Sequence, residues 1–185
     1  ITGTMSGKVE KADNPVVPSG LIGTAATQKG ASDGKIIGTT TAMEYATKAD
    51  FTDAKVVTGT EITDLKAGTY YVRLKETETT KAGEAQKVTV EDGPAILTGT
   101  VTITGSAKYN ETLTATVTDT NNSGTLKYQW KRGGEAIDGE TSSTYKLTQT
   151  DIGQTISCEV TSTKELKSIT GTMSGKVEKA DNPVV

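Results

Sequence analysis

Few side chains in this chain could do chemistry, and those present are poorly placed for it. There is no histidine and Cys158 is the single cysteine. That removes Ser-His-Asp and Cys-His nucleophile sets, imidazole acid-base work and HExxH zinc sites together. Cys158 falls in the alternating row Ile156, Cys158, Val160, so it is expected inside, where a thiol is a small hydrophobe rather than a nucleophile. The string GTMSGK, at residues 3–8 and 171–176, has the glycines and lysine of a phosphate loop without its spacing or a strand-to-helix context, and reads as a strand with glycines. Asp33, Asp50, Asp53 and Asp138 stand near turns. They lack the dense spacing of a calcium loop and read as turn formers. Trp130, Tyr128, Tyr70 and Tyr145 lie on inward rows, which leaves Tyr71, Phe51 and Tyr109 as candidates for a surface patch, too scattered for a sugar-stacking platform and better read as core or rim packing. The expectation is a non-enzyme with no catalytic residue, no metal and no cofactor.

Composition points the same way. Hydrophobic residues make up 33% and aromatics 4% of 185 residues, and about one residue in five is Thr, a mixture suited to strands with one wet face. The 20 basic and 23 acidic side chains are interspersed and give a net charge of -3. Neither nucleic acid nor an anionic membrane finds an electrostatic footprint in that pattern. One cysteine allows no intrachain disulfide, and no apolar run approaches the ~18 residues of a membrane helix. Any signal or anchor is expected outside this stretch.

The elements that must carry these residues are read from two patterns, repetition and alternation. The segment ITGTMSGKVEKADNPVV occupies residues 1–17 and recurs letter for letter at residues 169–185, an offset of 168. Solenoid repeats are ~20 to 50 residues long, so an offset of this size is expected to hold two small β domains. From Ala95 onward the alternation is regular. ETLTATVTD points Leu113, Ala115 and Val117 inward; TLKYQWKR points Leu126, Tyr128 and Trp130 one way and Lys127, Gln129 and Lys131 the other. STYKLT supplies Tyr145 and Leu147, and TISCEVTS supplies the row around Cys158. In SITGTMSGKVEK, Ile169, Met173 and Val177 share a face with Gly171 and Gly175, which predicts a closing strand over 169–181 whose glycines mark bulges or close approach.

Before Ala95 the strand candidates are shorter: LIGTAAT, GKIIGTT, AMEYAT, AKVVTGT, EITDL, GTYYVRLKE and AQKVTVED, split by Gly, Asp and Lys turns. In GTYYVRLKE, Tyr70, Val72 and Leu74 alternate with Tyr71, Arg73 and Lys75, so one face is core. PVVPSG, residues 15–20, reads as a proline-bracketed linker.

The run GSAKYNETLTATV, LKYQWKRGGEAIDGETSSTYKLTQTDIGQTISCEV and the closing strand, nearly all of residues 96–181, resembles the bacterial immunoglobulin-like domains found in arrays on surface proteins. Residues 18 to about 92 resemble a fibronectin-type-III-like repeat of Gram-positive surface proteins. The resemblance implies two tandem antiparallel β-sandwich domains in an elongated all-β chain: residues 18–94 fibronectin III-like, residues 95–185 immunoglobulin-like, and residues 1–17 the closing strand and linker of a preceding repeat. It puts Trp130 at the central-strand tryptophan of such sandwiches and Cys158 near their second cysteine, whose partner would fall around Ala115. Trp130, Cys158, Tyr128, Leu113, Tyr145, Tyr70 and Val72 are the expected structural core. Some domains of this kind carry a Lys–Asn isopeptide crosslink, but Asn110, Asn121 and Asn122 sit in turns and the lysines between Lys108 and Lys131 alternate outward.

The function this implies is mechanical, a repeat unit of an extracellular stalk or filament on a cell surface or wall, with a period on the order of 70 to 80 Å. The alternative is an adhesin whose loops bind a host glycan or protein. The expected partners are neighbouring copies of the chain. The first copy of the closing strand, with Ile1, Met5 and Val9 on its apolar face, has no preceding domain here, and strand addition to the second domain of a neighbouring molecule is the expected way to satisfy it.

Overall fold

The computed structural model describes residues 9–181. The chain divides between Gly93 and Pro94 into two compact units. Each is an all-β domain of antiparallel strands, and the one helical element among the described residues is a single 3-10 turn.

The first domain contains β1 (Ile22–Thr24), β2 (Gly34–Ile37), β3 (Met43–Ala46), β4 (Lys55–Val56), β5 (Glu61–Leu65), β6 (Gly68–Leu74) and β7 (Gln86–Val90). One sheet has the order β1-β2-β5 and the other β4-β3-β6-β7. The alternation of GTYYVRL does what period two requires: Tyr70 and Val72 are buried while Tyr71 and Arg73 are half-buried on the opposite face. Ile36, Ile62 and Leu65 from the three-stranded sheet meet Met43, Tyr70, Val72, Val88 and Val90 from the four-stranded sheet in one core.

The second domain contains β8 (Thr100–Thr104), β9 (Thr112–Thr118), β10 (Leu126–Arg132), β11 (Glu135–Ala136), β12 (Thr144–Lys146), the 3-10 turn Gln149–Asp151, β13 (Ile156–Ser162) and β14 (Ser168–Thr172). Its sheets have the orders β12-β9-β8 and β11-β10-β13-β14. Counted from each domain's first strand, the order is the same as in the first domain. The two resemblances therefore describe one strand plan, the three-plus-four arrangement of an immunoglobulin-like sandwich. Leu113, Ala115 and Tyr145 face Trp130, Ile156, Cys158 and Val160 across the core. Tyr128, expected fully inside, is half-buried and packs at the margin of that cluster.

Both sandwiches close at a glycine. A Cβ on Gly23 of β1 would lie 1.9 Å from the Thr89 carbonyl oxygen on β7, and one on Gly171 of β14 would lie 2.4 Å from the Val101 carbonyl oxygen on β8. In each case the first and last strands, which belong to opposite sheets, approach so closely that only hydrogen fits.

The duplicated segment departs from the sequence expectation in two ways. In the second copy the strand stops at Thr172, and the chain bends through Gly175 at φ +80°. It returns at Val177 and Glu178 as isolated parallel bridges to Ile152 and Lys108. In the first copy Ile1 and Met5 lie outside the described residues, and Val9 is 89% exposed. Of the residues that follow, Ala12 forms a parallel bridge to Thr80 of its own domain. The connection between β6 and β7 turns its Thr79 carbonyl and Lys81 amide toward this segment, and Ala12 of the same chain takes both.

Candidate functional site: the shared segment and its docking edges

On the first domain the segment is held by backbone and charge. The Ala12 amide donates to the Thr79 carbonyl at 2.9 Å, and the Lys81 amide donates to the Ala12 carbonyl at 2.8 Å. Lys11 donates to the Thr77 carbonyl at 2.6 Å and pairs with Glu76, while Lys81 pairs with Asp13 at 2.8 Å. Glu76 is held below the usual carboxylate range by the hydrogen bond and charge of Lys11, and Asp13 by those of Lys81. Further on, the Val16 carbonyl passes so near Gly83 that a Cβ there would lie 2.7 Å from it. Pro18 is buried. Residues 11–18 thus dock along the first domain, at Lys11, Ala12, Asp13, Val16 and Pro18.

On the second domain the same residue types do something else. Val177 is 2% exposed and belongs to the core; its amide donates to the Gln154 carbonyl at 3.0 Å and its carbonyl accepts from Gly153 at 2.8 Å. Glu178 donates to the Ala107 carbonyl at 2.7 Å and accepts from the Tyr109 amide at 2.9 Å. Lys108 pairs with Asp181 at 2.6 Å, an interaction that raises the Lys108 pKa. Lys179 and Ala180 are exposed.

The titratable groups inside the second domain are structural. Asp151 is fully buried and accepts from Arg132 Nε at 2.6 Å, Tyr145 Oη at 2.8 Å, the Thr148 amide at 2.6 Å and Thr148 Oγ1 at 2.7 Å. Burial pushes this carboxyl up, yet the Thr148, Arg132 and Tyr145 hydrogen bonds outweigh it and hold the group below the ordinary range. Burial pushes the Cys158 thiol up to about 11. Trp130 stacks on Tyr145 at 5.5 Å and 30°, and its indole N–H donates to the Ser142 carbonyl at 2.8 Å. A second acid, Glu165, is 9% exposed and accepts from the Ser123 amide at 3.0 Å and from the Ser123 and Ser162 hydroxyls, clasping two loops.

The sequence reading missed Asp151, Arg132 and Glu165. For Asp151 a signal was present: Thr148 and Asp151 have the spacing of a capping box, and they form one. Glu165 had a local signal only on one side: Ser162 stands three residues before it and bonds it, whereas its other partner, Ser123, is 42 positions away.

Three of the four turn aspartates, Asp33, Asp50 and Asp53, are occupied by their own turns. Asp33 accepts from the Thr27 amide at 3.0 Å and from its hydroxyl; Asp53 takes the Thr47 amide at 3.0 Å and the Lys48 amide at 3.2 Å; Asp50 caps Thr52. Among the described residues, no three acidic or thiol groups gather in a metal-binding cluster. Phe51, a candidate for a surface patch better read as core or rim packing, is 8% exposed and lies under Arg73, whose guanidinium is 3.8 Å from the ring centre and is held by Glu44 at 2.7 Å. The sequence could not show this cover, because Arg73 and Phe51 come together only through the β3–β6 pairing. Tyr109 is 41% exposed. An open cleft of about 700 Å³ in the first domain includes Tyr45, Asp53, Lys55, Leu65 and Tyr70, but the Tyr70 hydroxyl is already spent on the Lys66 carbonyl at 2.8 Å.

No protein-family model matches this chain, and no curated protein matches it in sequence. Among solved structures, the CD2-binding domain of CD58 (lymphocyte function-associated antigen 3) is similar at 9% identity, over 94% of this chain and 100% of that one, with a TM-score of 0.33.

Proposed function

We propose that the chain is one period of a tandem array that forms a spacer on the outside of a cell, a shaft whose length is set by the number of domains. The single observation that carries this reading is the use of one seventeen-residue segment in two places: its second copy completes the core of the second domain through Val177, and its first copy is strapped along the first domain through Ala12. A segment that ends one domain and begins another is what a repeating chain requires. The buried acids and the thiol support a mechanical role, since each is consumed by packing or by loop fastening.

Scattering from chains of one, two and three periods tests this. Maximum dimension should grow by roughly 70 to 80 Å per added period; a dimension that stays constant sinks the reading. An antibody to the chain should label intact source cells, and labelling only after lysis would remove the extracellular placement.

The adhesin reading draws on one observation, the open cleft at Tyr45 and Tyr70. The Tyr70 hydroxyl and Asp53 carboxylate are already hydrogen-bonded within the domain, which leaves few polar groups to orient a ligand. The spacer is therefore favoured.

A further inference from the structure

We infer that the shared segment is a two-sided splint, fastening each second domain to the first domain of the following period and passing from one to the other at a single residue, Lys179. This rests on the tandem reading and adds the geometry of the joint.

The two copies supply complementary halves. Residues 177–181 and residues 9–13 are the same pentapeptide, VEKAD. In the second copy the backbone bonds are made at Val177 and Glu178, to Gln154, Gly153, Ala107 and Tyr109. In the first copy they are made at Ala12, to Thr79 and Lys81. Ala12 corresponds to Ala180, so the preceding domain uses two positions, the following domain uses a third, and no backbone group is claimed twice.

Position 179 lies between them. Its counterpart, Lys11, spends its ammonium on Glu76 and the Thr77 carbonyl of the following domain, whereas Lys179 is exposed. The acid at this position pairs with a lysine in both settings, Asp13 with Lys81 and Asp181 with Lys108. One carboxylate at this position, with an oxygen for each lysine, joins the two domains by a shared charge.

The registers also say where the chain must turn. Lys108 is level with Glu178 and Thr80 is level with Ala12, positions only about 7 Å apart along a strand. Tyr109 and Thr79 would then both fall level with residue 179. A straight strand would bring them into collision, so the direction changes at Lys179. With bonded backbone on both sides of one residue, little freedom remains, and successive domains hold a fixed mutual orientation. Gly83 and Pro18 extend the fastening on the far side.

The test is a two-period chain, residues 1–185 continued by residues 18–185, compared with the present chain by amide hydrogen exchange. The Ala180 amide should exchange at least about tenfold more slowly in the two-period chain, because the Thr79 carbonyl of the second period now accepts it. The Val177 amide, bonded within its own domain, should be equally protected in both. Lys81→Pro in the second period removes the donor to the Ala180 carbonyl and should return Ala180 to the single-period rate with Val177 unchanged. As a measure that needs no variant, residual dipolar couplings should give one alignment tensor for the second domain and the first domain that follows it. Equal Ala180 rates in the two chains, or two unrelated tensors, overturn the splint. Either result leaves the array reading standing, since that is decided by the length increment per period.

Discussion

Trp130 and Cys158 are direct partners on β10 and β13, both 0% exposed, with Ala115 on the facing sheet in the same core. The ring fills the centre of the second domain against Tyr145, and the thiol beside it serves as a methyl-sized filler. Without a disulfide, packing carries the stabilisation that the bond supplies in related sandwiches.

Trp130→Ala should accordingly cost the second domain about 3 to 5 kcal/mol, from lost transfer energy and the cavity left behind. Denaturant unfolding followed through probes in each domain should show the second-domain midpoint falling while the first-domain midpoint holds. A loss under about 1 kcal/mol would mean that the core collapses around the gap.

Cys158 should be silent to thiol reagents in the native protein at pH 8. Its thiol is fully buried and its pKa is pushed up to about 11, so both access and thiolate are lacking. Labelling with a maleimide should proceed only at the rate of second-domain opening and become rapid in denaturant. Prompt native labelling would contradict the burial.

Acid should weaken the second domain through Asp151. Because the folded carboxyl lies below its ordinary value, the stabilisation is complete above the unfolded pKa and is lost as pH falls below about 5 and through the folded pKa. Asp151→Asn should lower stability at pH 7, and its deficit against the unsubstituted protein should shrink as the pH is lowered. Asp151→Ala strands Arg132 and should cost about 3 kcal/mol, the low end for breaking a buried pair, because the Arg132 side chain is 30% exposed. A deficit independent of pH would remove the carboxylate from this account.

Gly171→Ala should destabilise by about 1 to 3 kcal/mol through overpacking, since the new methyl would meet the Val101 carbonyl oxygen at 2.4 Å and its Cγ1 at 2.8 Å. Gly175→Ala meets no such wall. It should lose only the smaller cost of a side chain at φ +80°. Thermal unfolding of the pair separates close approach from backbone strain.

Much of this architecture is local in origin and so was legible beforehand. Leu113, Ala115, Ile156, Cys158 and Val160 alternate with polar neighbours, and period two puts them on one face wherever the strands go. All seven strand candidates before Ala95 contain strands. Phe51 and Tyr128 show where that legibility ends: alternation gives a face, and burial depends on what covers it. Arg73 covers Phe51, while the margin of the sheet leaves Tyr128 half open.

The duplicated segment draws the boundary most sharply. By itself the sequence determined that a seventeen-residue segment recurs, that the chain is built of β-strands, and that it has no histidine and a single cysteine, because letter identity, alternation and residue type are properties of neighbours in the chain. Tertiary structure alone decided that Val177 is buried and Val9 exposed, that Ala12 is strapped to Thr80, and that Asp151 fastens Arg132 to Tyr145. Identical residues took different roles because burial and pairing belong to surfaces brought together from distant parts of the chain.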